Sequence, residues 1–393
     1  MTLSDFRVTA STEQLLAELR GIAESNNSEQ MSLPPATYSS EELFELECEK
    51  IFRPGWIMVG RVDQVPNPGD FLAVDLLDER LVITRDHRDG EVHVLSRVCT
   101  HRWMSVCEGS GNSRTLECPY HAWKFEMDGA LRSAPQMKDS PSYDKAALGL
   151  TPARHEIWQG FVFVNLDGRA EPLAPHLVGL DEEIKEYRLS EWKTVWTRDY
   201  GEMPWDWKVM QDNGDCYHHI GLHRETLFDT FPNSLIWTQP TEGHYVYTGC
   251  GTAQDKLVPD AEGRPATPTT LPLAPGLTQF QRENLLLIYV HPNYFIAPSP
   301  DNAIVARVFP VGPGKVRFIT DLLVPPNAFD DPEFDKKVDQ IASGWDVVNV
   351  EDVRACTSVQ HNSRSQWAKR SPLSTEELCV AQFAAWYSRQ MTE

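Results

Sequence analysis

The sequence lacks any apolar run approaching the ~20 residues needed to span a bilayer. Its opening stretch, MTLSDFRVTASTEQ, intersperses apolar with polar side chains, so no signal peptide is expected and the expected location is the cytoplasm. Basic excess is missing too: 36 Lys+Arg stand against 57 Asp+Glu, a net charge of -21. Such a surface repels nucleic acid and anionic membranes; it suits solubility and a basic protein partner. Cysteine is sparse and scattered, eight residues at 48, 99, 107, 118, 216, 250, 356 and 379, which favours thiols or metal ligands over a disulfide framework. No GxGxxG follows a strand pattern, so the chain is not expected to bind a nicotinamide cofactor itself. Internal repeats and low-complexity tracts are absent.

What is present is 393 residues with an ordinary apolar share of 41%, enough for two domains or one large domain with an insert. Residues 11–25 carry Leu15, Leu16, Leu19 and Ile22 on one helical side. Ser39 and Glu42 make a capping-box pattern for a second helix ending before Pro54. From Trp56 to about Val98, runs such as FLAVDLL, RLVITRD and VHVLSRV alternate with turn signals, PNPGD and DHRDG; with FVFVN at 161–165, they predict a β-rich unit over 56–165. Beyond it the patterns predict a helix over about 205–220 and strands near 285–297, 303–310 and 315–324. Phe334, Val338, Ile341, Trp345 and Val348 mark a long amphipathic helix, and Ser374 with Glu377 caps a last one. The Pro-, Gly- and Thr-rich segment 254–284 is long enough to be read as a lid, a binding loop or a disordered segment.

The first chemical constellation is CTHRWMSVCEGSGNSRTLECPYHAW, with two mixed clips: Cys99 with His101, and Cys118 with His121. Two such clips can grip one metal centre from both sides. Two thiolates with two imidazoles suit either a structural zinc or a Rieske cluster, in which one iron takes both cysteines and the other both histidines. Zinc sites usually place a Cys pair before a His pair, whereas here Cys precedes His twice. Cys-x-His, sixteen residues, Cys-x-x-His, then AWKFEMDGAL resembles the Rieske domain of ring-hydroxylating oxygenases. Cys107, between the clips, reads as a small buried residue.

The second constellation is WDWKVMQDNGDCYHHIGLHRETL. Two histidines and a carboxylate leave ferrous iron open positions for O₂. Helical geometry alone offers His219 and His223, four apart on one face. The resemblance offers His218 and His223 instead, because Trp207-Lys208, Asp212-Asn213, Asp215, Tyr217-His218 and His223 follow the family motif. That pair, about 140° apart on a regular helix, converges only if the helix breaks, and Gly221 lies between them. The resemblance further implies Asp352, in VVNVEDVRACTSVQ, as third ligand with Glu351 as fallback. It implies Asp215 as the acid that bridges the mononuclear iron and a neighbouring subunit's cluster. Only Gly214 separates Asn213 from Asp215, one residue fewer than in many relatives.

Taken whole, the resemblance runs from about residue 40 to the C-terminus. It implies an α+β fold: N-terminal helices over 1–50, a Rieske domain over 51–165, and a helix-grip catalytic domain over 166–393. The implied activity is that of a terminal oxygenase. It would use O₂ and electrons from NAD(P)H, delivered by a separate flavin/iron–sulfur reductase or ferredoxin, to hydroxylate or demethylate a small aromatic or quaternary ammonium substrate. The implied cofactors are a [2Fe–2S] cluster and a mononuclear Fe²⁺, and the implied assembly is a head-to-tail homotrimer. The alternatives are a ring cis-dihydroxylating dioxygenase and, in another class, a Rieske electron carrier without mononuclear iron.

Overall fold

The computed structural model describes residues 11–393, except for the side chain of Asp215. The chain divides into two compact units: Arg53–Ala170, and the residues up to Phe52 together with Glu171–Glu393.

The first unit is built from short antiparallel strands. Ile57–Arg61, Phe161–Asn165 and Arg154–Trp158 form one sheet, in that order, and every residue of FVFVN is buried because it is the central strand. Val92–Ser96, Glu79–Arg85, Asp70–Leu76 and Ser110–Asn112 form a second. Leu116–Glu117, Lys124–Phe125 and Leu131–Ser133 form a third, small sheet. Val82, Leu95, Leu116, Trp123, Phe125, Met127 and Leu131 pack into one core that also takes in Cys99 and Cys118. The two candidate ligand cysteines thus stand on a rigid apolar base.

The second unit centres on a seven-stranded antiparallel sheet. Its order is Lys193–Met203, Lys315–Val324, Ala303–Gly312, Tyr294–Pro298, Asn284–Val290, Tyr245–Gly251 and Ile236–Gln239. The long helix Phe334–Ser363 lays Val338, Ile341 and Ala342 against Ile304, Leu322 and Val324 of the sheet, with Phe334 and Trp345 at the margin. This is the helix-grip arrangement. Asp352 follows one turn after the buried Val348. The helix Thr12–Glu24 buries Leu15, Leu19 and Ile22 and packs on the C-terminal helix Leu378–Thr392.

Three local readings change. Ser40, not Ser39, caps the second helix: its side chain accepts from the Leu43 N–H, and the helix runs Glu41–Glu47. The expected 205–220 helix stops at Asp215, because Cys216 leaves helical geometry (ψ 85°), and a 3₁₀ turn, Tyr217–His223, continues. The 254–284 segment is pinned, unlike a lid: Asp301 accepts the Thr270 and Leu271 N–H groups at 2.9 and 2.8 Å, and Leu271 joins the core beneath the long helix.

A buried charge cluster holds the helix Trp207–Asp215. The Lys208 ammonium donates to Glu47 and lies equally close to Asp206, at 2.6 Å from each. Glu47 also accepts from Trp207 Nε1 at 2.8 Å and from the Tyr387 hydroxyl at 2.6 Å. Asp206 caps the helix, accepting the Lys208 N–H, and its own N–H donates to Gln360 of the long helix at 2.8 Å. Tyr38 donates to Asp212 at 2.5 Å. Burial pushes the Asp212 carboxyl from 3.8 up to about 7, against the Tyr38 hydrogen bond and Lys208. A folded-state value above the unfolded one means that the folded protein holds the extra proton. This stabilisation is complete below the unfolded value and lost as pH rises through about 7. Melting temperatures from pH 5 to 8 are therefore expected to fall less in Asp212→Asn than in the wild type; parallel profiles contradict this.

Candidate metal centres

The paired loops of the first unit share one backbone geometry. In the first, the Cys99 N–H donates to the Met104 carbonyl and the Trp103 N–H donates back to the Cys99 carbonyl, both at 2.9 Å. In the second, the Cys118 N–H donates to Trp123 at 2.8 Å and the Ala122 N–H donates back to Cys118 at 3.0 Å. Trp103 (φ 62°) and Ala122 (φ 56°) both take the left-handed conformation that lets each loop fold back on its cysteine. Neither is Gly or Asn, so nothing in the sequence announced these turns.

Cys99 and Cys118 are buried as free thiols. Burial pushes the Cys99 thiol up, while the backbone N–H groups of His101 and Arg102 act on its sulfur in the opposite sense, favouring thiolate. The His101 and His121 rings meet at 4.6 Å, and Trp123 stacks on His101 at 4.7 Å, almost parallel. Burial lowers the His101 imidazole, with His121 and Arg102 adding to it, so it favours the neutral, ligating form. His101 Nδ1 is buried with no hydrogen-bond partner.

These donors fit a cluster better than a single ion. Tetrahedral zinc would hold its ligand atoms roughly 3.3–3.8 Å apart. Among the described residues, no three of Cys99, His101, Cys118 and His121 bring ligand atoms within 4.8 Å of one another. Cys99 interacts with Cys118, and His101 meets His121, so the donors fall into a thiol pair and an imidazole pair, as a two-iron centre with mixed ligands requires.

In the second unit, the three donors that do come within 4.8 Å are those of His219, His223 and Asp352. Tyr217, Ile220 and Phe231 pack with Cys250, Leu285 and Leu287 of the sheet, anchoring the 3₁₀ turn that carries the histidines. His219 Nδ1 lies against the Cys216 carbonyl, and His223 Nδ1 lies 2.7 Å from Glu351 Oε2. Each neutral ring has one proton, and each of these acceptors claims it at Nδ1. Both Nε2 lone pairs then face each other at 3.1 Å, with Asp352 Oδ1 at 3.4 and 3.2 Å. Asp352 Oδ1 is buried without a hydrogen-bond partner. Three convergent lone pairs, one of them anionic, repel unless a cation lies between them, so the set fits a 2-His-1-carboxylate metal site.

His218 points elsewhere: its Nδ1 lies 2.6 Å from Glu376 on the surface, each side chain 43% exposed. The structure therefore brings His223 and Asp352 together with His219 rather than His218. Glu351 binds the far side of the His223 ring. Asp215 ends the helix Trp207–Asp215, and its side chain lies outside the described residues.

Two family models match the chain. Residues 55–144 match the Rieske [2Fe-2S] domain, and residues 189–393 match the ring hydroxylating alpha subunit (catalytic domain). The chain belongs to the ring-hydroxylating oxygenase alpha-subunit family. It is a Rieske-type non-heme iron oxygenase, the terminal oxygenase of its system, with a [2Fe–2S] cluster and a mononuclear iron. It is 28% identical to the glycine betaine monooxygenase oxygenase subunit of Chromohalobacter salexigens, covering 92% of this chain and 86% of that one. To the chloroplastic choline monooxygenase of Spinacia oleracea it is 27% identical, covering 83% and 71%. In fold it is similar to a quaternary ammonium Rieske monooxygenase crystallised with an inhibitor, with a TM-score of 0.80 at 22% identity over 94% of this chain and 98% of that one. A naphthalene 1,2-dioxygenase from Rhodococcus sp. superposes equally well, with a TM-score of 0.81 at 20% identity over 97% and 99%. Among the described residues, no helix is long and apolar enough to cross a membrane.

Proposed function

We propose that this oxygenase hydroxylates a small quaternary ammonium or N-methylated substrate, with the cluster on Cys99, His101, Cys118 and His121 and the mononuclear iron on His223, Asp352 and one histidine of the 218–219 pair. The observation that carries the iron assignment is the convergence of three lone pairs at His219, His223 and Asp352. The substrate class is supported by relatives named for glycine betaine and choline, matched over 86% and 71% of their own lengths. The ferrous ion supplies O₂ activation, and the cluster supplies electrons. The polypeptide holds the His219 and His223 rings through their Nδ1 atoms, and with Asp352 of the long helix these side chains would hold the ion.

The net reaction takes substrate, O₂, two electrons and two protons to hydroxylated substrate and water. Hydroxylation at an N-methyl carbon gives a hydroxymethylammonium, which breaks its C–N bond to release formaldehyde, a proton and the demethylated amine. The electrons come from a separate NAD(P)H-dependent reductase, and the chain assembles as a head-to-tail trimer. One solved relative is described in terms of inter-subunit electron transfer, which supports that assembly. Asp215 then takes the bridging place between centres that its motif position implies. The test is O₂ uptake with a surrogate reductase in the presence of glycine betaine, choline, carnitine and their tertiary amines, against an aromatic panel. Substrate-dependent uptake matched by hydroxylated product or formaldehyde supports the reading; turnover confined to ring diols overturns it.

The second histidine ligand has two readings, each with its own observation. Geometry supports His219, whose Nε2 completes the cluster of lone pairs. The Tyr217-His218 step and the spacing to His223 support His218. Iron analysis of His219→Ala and His218→Ala, each with its cluster intact, separates them. If the geometry governs, His219→Ala loses the mononuclear iron and His218→Ala keeps it; the reverse result assigns His218.

A further inference from the structure

We infer that Glu351 is a positioning residue for the mononuclear iron, fixing the ring of His223 and tuning its donor strength without itself being a ligand. The inference rests on His223 and Asp352 as ligands and is independent of the choice between His218 and His219.

Neighbouring residues on a helix point about 100° apart, so Glu351 and Asp352 would not ordinarily serve one side chain. Here they bracket the His223 ring. The shorter Asp352 places Oδ1 3.2 Å from Nε2, and the longer Glu351 reaches round to Nδ1 at 2.7 Å. His223 is 2% exposed, so its ring has little room to turn away. Thr226 Oγ1 lies 3.3 Å from the same Glu351 oxygen and donates to it, holding the carboxylate in place. With Nδ1–H committed to Glu351, the Nε2 lone pair is the one presented to the metal site.

The two histidines of the geometric triad differ in this respect. His219 gives its Nδ1 proton to the neutral carbonyl of Cys216, whereas His223 gives its own to an anion. A carboxylate acceptor makes imidazole a stronger donor and fixes its tautomer. Glu351 and Asp352 together also match the two positive charges of a ferrous ion, which Asp352 alone does not. Glu351 is unsuited to be a ligand in this arrangement, because its bonded oxygen lies on the opposite edge of the ring from the three convergent donors.

The test is anaerobic equilibrium dialysis of the protein, stripped of mononuclear iron but with its cluster intact, against Fe²⁺. Glu351→Ala, Glu351→Gln and Asp352→Ala are compared with the wild type. Glu351→Ala is expected to weaken Fe²⁺ binding about 10–100-fold. Glu351→Gln, which keeps an acceptor oxygen at the same reach but no charge, falls between alanine and wild type. Melting temperature and cluster absorbance stay unchanged in both, separating positioning from a structural defect. Binding by Glu351→Ala within about twofold of wild type overturns the inference; so does equal, complete loss in the alanine and glutamine variants, which would make Glu351 a ligand. If Asp352→Ala binds Fe²⁺ normally, the ligand assignment has failed instead.

Discussion

Asp352→Ala is expected to abolish substrate oxygenation while leaving the visible absorption of the cluster intact. Asp352 is the one anionic donor in the convergent set, and its Oδ1 lies within 3.4 Å of both facing imidazole nitrogens. Without it, two neutral rings remain, and two imidazoles alone hold ferrous iron weakly. Loss of the ion removes several kcal/mol of transition-state stabilisation, and each 1.36 kcal/mol is tenfold in rate. Product formation should fall by at least about 10²–10³-fold. The paired loops lie in the other unit, with their own core beneath Cys99 and Cys118. The measurement is product per unit of cluster absorbance, with the spectrum taken on the same sample. Retained turnover contradicts the assignment of Asp352; a lost spectrum contradicts the independence of the two centres.

Lys208→Met is expected to have the largest effect on stability. The ammonium is fully buried, and burial alone would lower its pKa, but Asp206 and Glu47 outweigh this and keep it charged. Removing it strands Glu47 and Asp206 in the interior with their negative charge uncompensated. Breaking a buried pair from one side costs about 3–5 kcal/mol. In a unit of this size, that corresponds to a melting temperature lower by on the order of 10 °C. The same helix leads directly into the 3₁₀ turn of the iron site, so iron occupancy should fall as well. The double variant Glu47→Gln/Lys208→Met, which removes charge of both signs, should recover part of the loss, because an apolar replacement of a buried pair is often neutral. Calorimetry of the two variants checks this; equal melting temperatures for Lys208→Met and the wild type contradict it.

The ease of reading the sequence followed the range of the interactions. The Cys99–His121 segment was legible because its four donors lie within one stretch of chain, so spacing alone limits what they can hold. The long helix and the strands over 303–324 were legible from periodicity, but the stretch 285–297 is two strands, Asn284–Val290 and Tyr294–Pro298, and Lys193–Met203, Ile236–Gln239 and Tyr245–Gly251 were not read. Asp352 was legible only through resemblance, since an adjacent Glu-Asp pair on a helix usually faces water. The 3₁₀ turn at Tyr217–His223 was hidden because helix windings differ by cooperative packing, here of Tyr217 and Ile220 against the sheet, and not by local composition. That difference decides which histidine faces Asp352. The partnerships of Lys208 with Glu47, 161 residues away, and of His223 with Glu351, 128 residues away, carry no local signal at all. Nor did the 254–284 segment show that Asp301 ties it down.

The most direct test of one chain holding two distinct iron environments is metal and acid-labile sulfide analysis of the purified protein, with electron paramagnetic resonance after reduction. The account predicts about three irons and about two sulfides per chain, as a two-iron cluster plus one separate ion require, and a signal at the g-values of a cluster with mixed thiolate and imidazole ligands. A colourless protein with zinc in the paired loops, or a two-iron protein whose content does not change in Asp352→Ala, contradicts it.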